Sequence, residues 1–318
     1  MKMIKRWMYL LAVMLLVFSL AGCGSKAAGD PMDGAAQWLL QNVKEPTLGP
    51  TGGEWTILGL ARWEDQIPDG YLDGYYERLS AEVKAMNGIL HEKKYTEYSR
   101  VIMALTAIGK DPADVAGYDL LSPLADLKQT VFQGVNGASY ALLALDSGNY
   151  TIPGTTEQES LRLREDYIAW ILEKEAPAGG WGFGGSEADG DITAMVLQAL
   201  AKYRDREDVA QAVERGVACL SELCRSGKIA AKGNSSCESI CQTIVALTEL
   251  GIPMDDVRFT MEGKTLKDAL LAYRMEDGGF RHTLQGQKAD LMATEQAFYT
   301  LVAIRRMEQG KTSLYSMK

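Results

Sequence analysis

Trp55-Thr-Ile-Leu-Gly-Leu60 returns in altered form five more times: Val101-Ile-Met-Ala-Leu105, Tyr140-Ala-Leu-Leu-Ala-Leu145, Val196-Leu-Gln-Ala-Leu200, Thr243-Ile-Val-Ala-Leu247 and Phe298-Tyr-Thr-Leu301. Each copy is an apolar helical phrase that closes on a small residue followed by leucine. The closing leucines lie 45, 40, 55, 47 and 54 residues apart. A spacing this regular marks a repeat architecture, in which one unit cannot bury its own apolar face and leans on its neighbours.

Amphipathic stretches fill the gaps between the phrases, around 32–43, 75–90, 119–130, 157–174, 207–225 and 264–275. Their charges ride one face, as in Glu159-Ser-Leu-Arg-Leu-Arg-Glu165. The repeated helices, around 52–62, 96–108, 137–146, 191–202, 238–250 and 291–307, are apolar nearly all round. No segment alternates with period two between hairpin turns, so strand content is expected to be close to nil. Twelve helices, alternately exposed and buried, make six helical hairpins. The expected fold is therefore all-α, a closed six-hairpin (α/α)6 toroid over residues 31–307 with its apolar helices inside. A linear solenoid would serve the same alternation, but neither terminal hairpin reads as a polar cap.

Residues 1–22 read as an export leader rather than as part of the fold. Lys2, Lys5 and Arg6 precede an apolar run from Met8 to Leu20, too short for a spanning helix of roughly 20 residues. The run ends in Leu20-Ala21-Gly22-Cys23, which resembles the lipobox of bacterial lipoproteins. That resemblance implies lipidation of Cys23 and anchoring at the outer face of the bacterial cell membrane; a plain signal peptide with a chance cysteine is the alternative. Residues 23–30 read as a tether and 308–318 as a loose tail. Removing the leader takes away three positive charges and no negative one, moving the net charge from −9 to −12. Such an acidic surface argues against a nucleic-acid partner. The remaining residues form one domain, expected as a monomer. Cys219, Cys224, Cys237 and Cys241 do not match a zinc spacing. Buried free thiols are expected, with a Cys224–Cys237 bridge as the alternative. No metal or cofactor is implied.

Glycine-aromatic turns recur just before the apolar helices: Gly52-Gly53-Glu54-Trp55, Gly179-Gly180-Trp181-Gly-Phe183 and Gly278-Gly279-Phe280. Together with Asp189-Gly-Asp191-Ile-Thr-Ala-Met195 and Asp290-Leu-Met-Ala-Thr-Glu-Gln-Ala-Phe-Tyr299, they give the chain its most specific likeness. It resembles the α/α toroid shared by squalene and terpene cyclases, protein prenyltransferase β subunits and transcobalamin-type carriers. The likeness spans nearly everything from Asp30 to Met307.

The resemblance implies several activities, and the residues separate them. Class II cyclases protonate an alkene with the middle acid of Asp-x-Asp-Asp. Here the run is Asp189-Gly190-Asp191-Ile192, so Asp191 would hold the donor's place without its usual partner. Counting nine residues back from each closing leucine gives Thr51, Thr96, Asn136, Asp191, Glu238 and Met292. Four of the six are preferred helix caps, which favours Asp191 as a cap over Asp191 as an acid. The zinc of a prenyltransferase would need His where Ala293 stands, and a complement-type thioester lacks its cysteine before Glu295-Gln296.

The carrier branch remains, with a mouth lined by Trp55, Tyr98, Tyr140, Trp181, Phe183, Thr193, Glu238, Phe280 and Glu295. The expected function is capture of an apolar or ring-containing small molecule, corrinoid or isoprenoid-like, without chemistry. The alternatives are a degenerate cyclase using Asp191 and Asp189, a glycan-active enzyme with a carboxylate pair, and a protein-interaction scaffold whose barrel is filled by aromatics.

Overall fold

The computed structural model describes residues 29–183, 186–227, 229 and 236–318. The leader, Cys23 and the tether as far as residue 28 lie outside the described residues. Among the described residues twelve α-helices follow one another: α1 (Pro31–Asn42), α2 (Glu54–Trp63), α3 (Tyr71–Ala85), α4 (Thr96–Ala107), α5 (Leu127–Thr130) and α6 (Val135–Ser147); then α7 (Glu157–Glu173), α8 (Gly190–Leu200), α9 (Glu207–Arg225), α10 (Cys237–Leu250), α11 (Leu266–Leu271) and α12 (Leu291–Glu308). Among the described residues there is no strand, only four isolated bridges. No helix among them is long and apolar enough to cross a membrane.

The two kinds of helix separate by burial. In α10, 12 of 14 residues are buried, so the helix is surrounded by protein. In α9 the buried set is a stripe, Val209, Ala212, Val213, Gly216, Val217, Leu220, Ser221 and Cys224, at the three-and-four spacing of one face. The even-numbered helices are the apolar ones, and they pack in series: α2 on α4, α4 on α6, α6 on α8, α8 on α10, α10 on α12, and α12 on α2. Of the outer set, α3, α7, α9 and α11 each lean on the apolar helix preceding them in the chain. The first described helix, α1, leans on α12.

Three boundaries differ from the sequence expectation, each for a local reason. The third outer helix, expected over 119–130, breaks into a 3-10 turn at Ser122–Ala125, the single turn of α5, and a second 3-10 turn at Val131–Gln133. Asp119 captures the Leu121 N–H at 2.8 Å and Asp126 the Gln129 N–H at 3.0 Å, each starting a new turn. The second outer helix ends at Ala85 rather than near 90, because Asn87 and Gly88 take left-handed φ values of 52° and 76°. The last, expected over 264–275, keeps only Leu266–Leu271. The chain then turns back, so that Arg274 bridges to Phe280.

The segment expected to be loose beyond residue 307 is instead bound across the apolar helices' C-terminal ends. Arg62 donates to the carbonyls of Ser313 at 2.7 Å and Ser316 at 3.0 Å, and Arg306 to that of Thr312 at 2.8 Å. Lys311 meets Glu64 at 2.8 Å, and Leu314 and Tyr315 are buried. Lys311 and Arg306 hold the Glu64 carboxyl down to about 2. The four described cysteines are free thiols.

Candidate functional site

Two of the three glycine-aromatic turns are the same structural module. After α7, Gly180 O accepts from Ala176 N–H at 2.8 Å, and Trp181 O accepts from Asp189 N–H at 2.8 Å. The Trp181 N–H donates to Thr193 Oγ1 at 2.9 Å, and the ring N–H donates to Ile171 O at 2.9 Å. Before α12 the pattern repeats: Gly279 O with Met275 N–H, Phe280 O with Asp290 N–H, and Phe280 N–H with Thr294 Oγ1, each at 2.8 Å. Gly179 and Gly278 have φ of 89° and 94°, a conformation open to glycine. Trp181 and Phe280 are fully buried, wedging the hairpins apart at a fixed distance. Thus Trp181, Thr193 and Phe280 serve the packing. Tyr98 is also buried, its hydroxyl accepting from Leu90 N–H at 3.1 Å, whereas Phe183 is 83% exposed.

The other expected residues come together at one end. The Trp55 ring from α2 lies 5.9 Å from Tyr140 of α6 and 5.8 Å from Tyr299 of α12, centroid to centroid. Helices α2 and α6 are two steps apart in the packing series, so these rings reach across its interior. An amide chain continues the layer. Gln198 of α8 donates to Gln242 Oε1 at 3.0 Å, and Gln242 of α10 donates to Gln296 Oε1 and the Tyr299 hydroxyl, both at 2.9 Å. Arg100 of α4 completes it, bonded to the buried Glu54 at 2.7 Å and to Glu97. Every apolar helix contributes a side chain to this floor.

One helical turn nearer the N-termini lies a polar layer. Thr96, Asn136, Asp191 and Glu238 stand four residues before Arg100, Tyr140, Met195 and Gln242, hence on the same helix faces. They are half-buried, as is Gln296, while Met292 is exposed. These residues belong to the set read from the sequence as caps, and the structure corrects that reading. The caps of α8, α10 and α12 are Asp189, Ser236 and Asp290, whose side chains accept from the N–H three residues on. The leucine-counted column is the rim of the interior instead.

Three buried acceptors at this end have no partner among the described residues: Asn136 Oδ1, Asp191 Oδ1 and Glu295 Oε1. The second Glu295 oxygen accepts from Gly52 N–H at 3.0 Å and Thr56 at 2.9 Å. Burial pushes Glu295 up to about 7 against those two bonds, and burial pushes Asp191 up to about 6, aided by Asp189 and Glu238 and opposed by Ser239. Burial also raises the Glu54 carboxyl, with Arg100 opposing. Glu238 is tied at the edge to His282, 2.8 Å away. No cluster of three or more His, Cys, Asp or Glu able to hold a metal ion occurs among the described residues. Arg100, Tyr299, Gln242 and Gln296 were not among the residues expected to line the mouth. The signal for three of them was the column five residues before each closing leucine: Trp55, Arg100, Tyr140, Met195, Gln242 and Gln296.

Compared with protein-family models, curated proteins and solved structures, the chain has no significant match.

Proposed function

We propose that the apolar helices close into an (α/α)6 toroid of the kind the sequence resembles, and that its N-terminal mouth binds a compact, ring-bearing molecule carrying hydrogen-bond donors. The closed packing series from α2 round to α12 supports the ring. The observation that carries the binding reading is the set of unpartnered acceptors, Asn136 Oδ1, Asp191 Oδ1 and Glu295 Oε1, above an aromatic floor. A buried acceptor left unbonded costs about 1–3 kcal/mol, so each of the three asks for a donor. Trp55 and Tyr140 offer faces against which a ring packs, and the surplus carboxylates favour an amine or a hydroxyl-rich edge. A floor only one turn below the rim makes the bowl shallow, which favours a molecule smaller than a corrinoid.

Binding is favoured over proton transfer because Asp189, the acid that would support Asp191, is engaged in capping α8. In this reading the protein presents the bowl at the cell surface, anchored through Cys23. Native mass spectrometry of the full chain in detergent, with phenethylamine, geranylgeraniol, maltotriose and cyanocobalamin as probes, tests the preference. Phenethylamine is expected to bind. Asp191→Ala should weaken it about 10-fold or more through loss of a charge-assisted hydrogen bond, and Tyr140→Ala should weaken it through loss of the ring contact. Equal affinities in both variants would sink the assignment. Loss of labelled palmitate incorporation in Cys23→Ser tests the anchor.

A further inference from the structure

The C-terminal ends of the apolar helices border a cavity. It measures about 220 Å³ and lies between α6, α8 and α10 on one side and the C-terminal segment on the other, with Leu143, Gln198, Glu249, Ser313 and Tyr315 in its wall. That volume equals the share of about seven liquid waters, or one small organic molecule. Two acceptors in the wall are unpartnered. Gln198 is 2% exposed, and its amide nitrogen is spent on Gln242, leaving Oε1 with no bond. Glu249 turns one carboxylate oxygen toward Ser313 and the amides of Leu314 and Tyr315, while Oε1 has no partner.

The remaining charged wall groups are already engaged. Asp146 accepts from Arg164 at 2.9 Å and from the Tyr203 hydroxyl at 2.6 Å. Lys202, half-exposed, donates to Asn149 at 2.8 Å and stands 3.5 Å from Asp146. The unmet hydrogen-bonding capacity identified in this wall is therefore of one kind, a carboxylate oxygen and an amide oxygen, beside the apolar Leu143 and Ala199. Arg62 attracts the Glu249 carboxylate without an ion pair, its guanidinium being bonded to Thr312, Ser313 and Ser316, so a neutral guest satisfies the amide oxygen but leaves the carboxylate without a contacting cation.

We propose that this cavity is a binding site for a small alkylammonium ion, held by Glu249 and Gln198 and covered by the C-terminal segment. Gln198 links the cavity to the bowl's floor, donating to Gln242 while its Oε1 faces this wall. Burial pushes the Glu249 carboxyl up to about 7, against Ser313, the amides of Tyr315 and Leu314 and the Arg62 charge.

Ligand-observed saturation-transfer NMR on the full chain in detergent tests this, with n-propylammonium as the probe and propan-1-ol as its uncharged counterpart. Propylammonium is expected to saturate while propanol does not. Glu249→Gln should weaken the ammonium at least 10-fold, and Gln198→Glu, which adds a second negative acceptor, should tighten it. Glu173→Gln, at an exposed residue of α7, should leave it unchanged. Equal binding of the two probes, or an affinity indifferent to both wall substitutions, overturns the assignment. So does saturation by neither probe, which would mean a cavity that holds water alone. Should Glu249→Gln fail to fold, by loss of its helical circular dichroism, the Gln198→Glu result decides.

Discussion

Glu295 shows how one side chain links folding to protonation. It is fully enclosed, has two hydrogen bonds on one oxygen and none on the other, and its carboxyl is raised from 4.5 to about 7. A folded-state value above the unfolded one means that the native protein holds the proton more tightly. The associated stability is full below about pH 4.5 and is lost as the pH rises through 7, amounting to on the order of 3 kcal/mol for this group. Urea unfolding at pH 5 and pH 8 is expected to find the wild-type chain less stable at the higher pH. In Glu295→Gln that difference should shrink by most of this amount, since the amide does not titrate. An unchanged pH slope would mean that Glu295 ionises freely in the folded chain. A ligand that donates to Oε1 would oppose the shift, so occupancy of the bowl should itself flatten the wild-type slope.

The helix starts carry the clearest test at the level of elements. Asp189 and Asp290 cap α8 and α12, accepting from Ile192 and Ala293 N–H at 3.0 and 2.9 Å. Alanine at either position is expected to cost about 1 kcal/mol in thermal or urea unfolding. Asp191→Asn should not destabilise at pH 8, where a poorly solvated charge repelled by Asp189 and Glu238 gives way to a neutral amide still within reach of Ser239. The reverse order would restore the cap reading of Asp191. The apolar helices were legible to within about two residues because their burial on every side leaves an unbroken signature in the sequence. Their caps were not, because a column counted from the closing leucine follows one helix face, while the cap depends on where the preceding turn delivers the chain. That same column located the rim at Thr96, Asn136, Asp191 and Glu238. Tyr299 and the glutamine chain escaped notice because an uncharged polar residue on an apolar helix looks like its neighbours. The break near Pro123 rests on Asp119 and Asp126 capturing nearby N–H groups, and the docking of Tyr315 on contacts with distant segments, which local pattern does not record.

At the scale of the whole molecule, the decisive seam joins α2 to α12. Gly59 lets them approach so closely that a β-carbon there would stand 3.0 Å from Phe298. Trp63 packs edge-on against Phe298 at 5.8 Å, Glu295 bonds Gly52 and Thr56 across the seam, and Arg306 donates to Arg62 O at 3.1 Å. At the far ends Trp38 of α1 reaches Asp277 at 3.2 Å. The first and last repeats thus support each other as firmly as any consecutive pair. In an open solenoid the terminal repeats have one neighbour each and fray first, so their amides exchange at lower free energy than central ones. In a ring every repeat has two neighbours and no end exists from which to fray. Native-state hydrogen exchange is therefore expected to give α2 and α12 the same opening free energy as α6 and α8. Gly59→Val, which forces a side chain into the seam at a cost of about 1–3 kcal/mol, should lower all four together. If it loosened α2 and α12 while α6 and α8 kept their protection, the repeats would be stacked in a row and the closed toroid would be the wrong description of how they are joined.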